Sequence, residues 1–137
     1  MVNSKCVIQI VCENLVDFKY RGLMRNVRLT VDHNAIVDAA IYMVIVDSKK
    51  IPKIDIAEAA RKVIERMPRV KSLTLQGLEV FVKNKLVTSL KDLLSPLTDL
   101  RHLKLLLSSH DSACIYGMAY LLQGCLSLET LTWKMIE

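Results

Sequence analysis

Apolar residues recur along this chain in one spacing, in which an apolar position is followed three and five residues later by two more. Copies of the pattern start at Leu15, Ile36, Val70, Leu100 and Leu128, and the Ile36 copy is the weakest. Successive copies begin 21, 34, 30 and 28 residues apart. The last two apolar positions of each copy have the two-residue period of a strand with one buried face. The pattern predicts short strands in repeated units that bury their apolar faces by stacking on one another.

The finer periodicity predicts where strands and helices lie. Strands are predicted over residues 7–11, 15–21, 26–31, 36–46, 69–75, 99–107 and 126–135. From Asp55 the apolar period lengthens to that of a helix, which Pro68 ends. Asp55 as N-cap and Glu58 three residues later resemble a capping box. Two further helices are predicted over residues 86–94 and 115–122.

The alternation of strands with helices decides the expected fold class. Strands joined by helices lie parallel, and the helices then cover one face of the sheet. We expect an α/β leucine-rich-repeat-like solenoid of four to five irregular repeats, with the strands on the concave face and the helices on the convex face. One domain is expected over residues 1–137, irregular and strand-rich over 1–54 and with regular helix–strand repeats over 55–137.

Composition narrows the cellular setting. Apolar residues make up 52% of the chain, yet no apolar stretch reaches the ~18–20 residues that span a bilayer, and no signal peptide is recognisable. Cys6, Cys12, Cys114 and Cys125 match no zinc spacing and lie among apolar residues. We therefore expect reduced, buried, structural cysteines, no membrane association, and a cytoplasmic or nuclear protein.

The charge balance indicates the kind of partner. The net charge is +5, but the basic residues are scattered and aromatic residues make up 5% of the chain. Nucleic-acid surfaces usually combine basic residues with aromatic platforms or a reading helix, so a nucleic-acid-binding domain ranks behind a protein-binding one. A mildly basic surface suits an acidic protein partner.

The outward positions of the predicted strands form the candidate binding surface. These positions lie between the apolar anchors, and the two-residue strand period points them away from the core. The candidate partner-binding residues are Lys19, Arg21, Gln76, His102, Lys104, Thr132 and Lys134. For any single one of them, a plain solvated sheet face is the alternative interpretation.

No catalytic constellation is recognisable in the sequence. Residues 108–111 read Ser-Ser-His-Asp, but a nucleophile, a base and an orienting carboxylate must converge from separate segments. His33 and His102 have no second ligand at metal-binding spacing, and no glycine-rich phosphate loop is present. We therefore expect no catalytic residue, no metal, no cofactor and no enzymatic activity.

Four segments give the chain a resemblance to plant F-box/LRR proteins. They are residues 14–22, 67–75, 97–105 and 121–132, which together extend over most of the chain. Leu126 and Ser127 stand where that family more commonly has proline and a polar residue. The resemblance implies the substrate-recognition repeats of an SCF-type ubiquitin ligase subunit. The sequence contains no F-box segment, so ligase docking is not extended to these residues.

The apolar residues near the two ends of the sequence support an alternative hypothesis. Those residues are Val7, Ile8, Ile10 and Val11, together with Leu128, Leu131, Trp133 and Met135. Uncovered terminal strands of a repeat stack tend to pair with other chains. A stand-alone or truncated repeat protein that self-associates, or that regulates its relatives, is therefore the second hypothesis.

Overall fold

The elements of the chain alternate between short strands and connecting segments, one of which is a long helix. The computed structural model describes residues 7–12, 14–29, 33–44, 53–78, 93–107, 119, 122–123, 125 and 127–136. The elements are β1 Ile8–Ile10, β2 Asp17–Gly22, a 3₁₀ turn Met24–Asn26, β3 Val27–Leu29, β4 Asp38–Met43, α1 Lys53–Glu65, β5 Ser72–Gln76, β6 His102–Leu107 and β7 Thr130–Met135.

Five of the strands form one parallel sheet in the order β2-β4-β5-β6-β7. The first residues of these strands lie side by side, namely Asp17, Asp38, Ser72, His102 and Thr130. These strand starts have the same 21-, 34-, 30- and 28-residue intervals as the apolar pattern. The pairing therefore puts equivalent positions of the pattern next to one another. A second, smaller sheet pairs β1 with β3, also in parallel.

One face of the sheet is buried in the hydrophobic core over β4, β5 and β6. In β5 and β6 the buried positions alternate with half-buried or exposed ones, as the strand period requires. Leu75 and Leu105 of this face belong to the same apolar cluster as Ala60, Val63 and Ile64 of α1. The helix therefore lies on the core side of the sheet, where it also packs on the 3₁₀ turn and on β3. The opposite face of the sheet is left polar.

The α/β class with parallel strands is confirmed, and each of the seven predicted strands overlaps an observed one. The solenoid arrangement stays a prediction. The helices predicted over residues 86–94 and 115–122 lie largely outside the described residues.

The start of α1 corrects the capping-box prediction. The helix begins at Lys53, so Asp55 lies in its first turn instead of at the N-cap. A carboxylate there still interacts favourably with the positive end of the helix dipole. Glu58 does not reach back to the helix start, because its carboxylate lies 3.0 Å from Arg61. Arg61 also contacts Glu65 at 3.3 Å, which makes an exposed ion-pair network along α1.

His33 is fully buried and connects separate parts of the chain. Its backbone N–H donates to the carbonyl oxygen of Arg66 at the end of the helical segment (2.8 Å). Its ring Nδ1 lies 2.9 Å from the Cys12 carbonyl oxygen, which only accepts, so Nδ1 carries the proton. Nε2 is buried without a hydrogen-bond partner within the part of the chain that the structure describes. His33 therefore links the segment that follows β1 to the segment that follows α1 through these two hydrogen bonds.

Candidate functional site

Three rows of side chains cross the polar face of the five-stranded sheet, and we call this surface the open face. The first row is Asp17, Asp38, Ser72, His102 and Thr130; the second is Lys19, Ala40, Thr74, Lys104 and Thr132; the third is Arg21, Tyr42, Gln76, Leu106 and Lys134. Because the strands are parallel and in register, neighbours within a row are about 5 Å apart. The open face is thus a regular grid that continues from β2 to β7.

All seven candidate residues lie on the open face, and six of them are exposed. The seven are Lys19, Arg21, Gln76, His102, Lys104, Thr132 and Lys134, of which Gln76 is half-buried. The structure brings His102, Lys104, Thr132 and Lys134 together on the adjacent strands β6 and β7. The β2 pair of cations, Lys19 and Arg21, lies about 14 Å from the β6 residues and about 19 Å from the β7 residues. The positive charges therefore form two groups at opposite ends of the face.

The β2 end of the open face contains a shallow depression of ≈370 Å³. Ala40 is part of its lining, and the small side chain of Ala40 stands between Lys19 and Thr74 in the second row. Asp17 and Asp38 lie directly opposite each other at its margin. Two carboxylates beside Lys19 give this end of the face both signs of charge. A complementary ligand would therefore present a basic group as well as acidic ones.

In the third row, next to this depression, Arg21 of β2 contacts the aromatic ring of Tyr42 on β4. The Arg21 guanidinium lies 4.5 Å from the centre of the Tyr42 ring, within the range of a cation–π interaction. The seven candidates omit Asp17, Asp38 and Tyr42, although the strand period alone points all three outward.

The open face offers charges and hydrogen-bonding groups for non-covalent recognition. Among the described residues, no group of three or more His, Cys, Asp or Glu side chains is arranged to hold a metal ion. The serine–histidine–aspartate run at residues 108–111 lies outside the described residues.

The last strand, β7, is exposed on both faces. Its core-side residues Leu131, Trp133 and Met135 are 38%, 44% and 38% exposed, although their counterparts on β6 are buried. Within the described part of the chain β7 pairs with β6 alone, so one backbone edge remains without a strand partner. An apolar row beside an open edge is a typical site of strand pairing.

The expectation of uniformly buried cysteines is wrong for Cys12, which is exposed after β1. Cys125 is buried as expected, and burial raises the pKa of its thiol. Cys12 is a free thiol, whereas Cys6 and Cys114 lie outside the described residues.

No family model, curated protein or solved structure matches this chain. The resemblance to plant F-box/LRR proteins therefore stays a prediction, and the functional argument depends on the geometry of the open face. Among the described residues, no helix combines the length and apolar character needed to cross a bilayer.

Proposed function

We propose that this protein is a non-enzymatic protein-interaction module whose open face binds a protein partner. The observation that carries the proposal is the grid of fifteen outward side chains on five in-register strands, whose outer strands are exposed. A regular, solvated, mainly polar sheet face presents charged and hydrogen-bonding side chains to a protein surface. It lacks the enclosed apolar character typical of small-molecule pockets.

The strand register supports the solenoid as the architecture of this module. Each of the five strands repeats the same apolar spacing, and the connections place β3 and then α1 on the core side of the sheet. Stacked units of this kind present their strands as one extended binding surface. Within this proposal, the sequence resemblance suggests that the open face captures substrates for an SCF-type ubiquitin ligase.

The charge distribution of the open face defines the chemistry of the partner. Lys104 and Lys134 lie at the β6–β7 end, and Lys19 and Arg21 lie about 14–19 Å away at the β2 end. The matching partner carries two acidic groups at that separation, with a basic group facing Asp17 and Asp38. Complementary charges of this kind contribute to specificity and to the association rate.

An affinity capture from a native extract of the source organism tests this proposal. Three chains are compared: the parent, the open-face variant Lys104→Glu/Lys134→Glu, and the control variant Arg69→Glu/Arg101→Glu. The control makes the same change of charge at two exposed cations that are not on the open face. We expect one protein to be captured by the parent and the control and lost from the open-face variant. Equal capture by all three chains would contradict the proposal.

Self-association is a second candidate function, and β7 is the observation that favours it. Its open edge and the exposed row of Leu131, Trp133 and Met135 can pair with the same strand of a second copy. Light scattering should then give a mass that rises with protein concentration. The variant Leu131→Lys/Trp133→Lys should stay monomeric under the same conditions. A parent chain that remains monomeric at every concentration would exclude this candidate.

A further inference from the structure

A groove of ≈590 Å³ lies between β3 and α1, on the core side of the sheet and away from the open face. Its floor is apolar, formed by Met24, Val27, Leu29 and Val63, which are all buried. The groove exists because β3 and α1 come from separate connections and touch over a short length, while α1 packs more extensively on the 3₁₀ turn.

The rim of the groove is strongly basic. Arg25 and Arg28 lie along one side, and Lys62 and Arg66 lie one helical turn apart along the other. All four are exposed. Glu65 is the acidic residue in the lining, and its carboxylate is 3.3 Å from Arg61. Positive charge above an apolar floor therefore characterises this site.

The backbone of β3 adds a second kind of recognition. β3 pairs with β1 on one side, and no strand within the described residues pairs with its other side. All three residues of β3 line the groove, whereas none of β1 does, so the unpaired edge faces the groove. An extended peptide can add to such an edge through main-chain hydrogen bonds, with alternate side chains reaching the floor and the rim.

We propose that the groove between β3 and α1 binds an extended acidic segment of a protein partner, in which acidic and apolar residues alternate. The acidic side chains contact Arg28 and Lys62 across the groove, and the apolar ones cover the floor at Val27 and Leu29. This chemistry favours a peptide over a nucleic acid. The described residues that line the groove include no aromatic side chain on which bases could stack.

Fluorescence anisotropy with three labelled probes tests the proposal on the full chain. The probes are a peptide of alternating glutamate and valine, the same peptide with glutamine in place of glutamate, and a single-stranded oligothymidylate. The groove variant is Arg28→Glu/Lys62→Glu, with Arg28→Gln/Lys62→Gln as its uncharged form. The variant Arg69→Glu/Arg101→Glu, whose two residues lie outside both the groove and the open face, is the matched control, and circular dichroism verifies that each variant is folded.

We expect the glutamate–valine peptide to bind the parent and the Arg69→Glu/Arg101→Glu control alike, with an affinity that falls as salt is added. The charge-reversed groove variant should bind it about tenfold more weakly or worse, and the glutamine variant should lie between. Equal affinity for the glutamine peptide, equal binding by the groove variants, or binding of the oligonucleotide without the peptide would overturn the proposal. These results do not depend on whether the open face binds a partner.

Discussion

Replacing Leu105 with alanine tests which face of the five-stranded sheet is buried and which is open to solvent. Both binding proposals depend on this distinction. Leu105 is fully buried in β6, between Leu75 of β5 and Trp133 of β7. The substitution removes three buried carbon atoms, worth about 2–3 kcal/mol of transfer free energy, and leaves a cavity that adds to the loss. Because β7 is exposed and can move inward, we expect a cost near the lower end of the usual range, about 3 kcal/mol.

The neighbouring residue provides the matched control. Lys104 lies on the same strand but on the open face, so Lys104→Ala should change the free energy of unfolding by no more than about 0.5 kcal/mol. Urea unfolding followed by circular dichroism and by the fluorescence of Trp133, the single tryptophan, measures both variants. Thermal unfolding should shift downward by about 10 °C for Leu105→Ala. Equal losses for the two variants would refute the assignment of the open and buried faces.

Three further predictions concern individual contacts. His33→Ala should lower the free energy of unfolding by about 1–3 kcal/mol, because it removes a buried ring and its hydrogen bond to Cys12. An unchanged urea midpoint would show that this hydrogen bond does not stabilise the fold. Iodoacetamide should alkylate Cys12 well before Cys125, whose thiol is buried with a raised pKa, and equal rates in peptide-level mass spectrometry would contradict this. A double-mutant cycle of Arg21→Ala and Tyr42→Ala should give a coupling of about 0.5–1 kcal/mol, whereas additive losses would indicate no cation–π interaction.

The strands could be predicted because their apolar period and their spacing agree. The predicted strands nevertheless begin three to four residues too early at β5, β6 and β7. Val70 and Leu100 explain the difference, since both are fully buried in the turns that lead into the strands. An apolar position indicates burial, whereas a strand boundary is set by backbone hydrogen bonding. The sequence pattern therefore locates the core better than the ends of the elements.

The open face could be predicted residue by residue, but its grouping could not. The strand period gives the outward direction of Lys19 and Lys104, whereas their separation depends on the order of strands in the sheet. The basic groove is even less visible in the sequence, because Arg28 and Lys62 meet only through the packing of β3 against α1. Burial of His33 was missed for the same reason, since its partners are distant backbone groups.

Site-specific photocrosslinking tests the central claim, that the open face contacts a protein partner, most directly. A photoreactive phenylalanine analogue is placed at Lys104 on the open face or, as a control, at Arg69, which is exposed but not on that face. Each chain is irradiated in a native extract, and the crosslinked proteins are identified by mass spectrometry. We predict one protein crosslinked in high yield from position 104 and not from position 69. The same crosslinks from both positions, or none from position 104, would contradict a binding role for the open face.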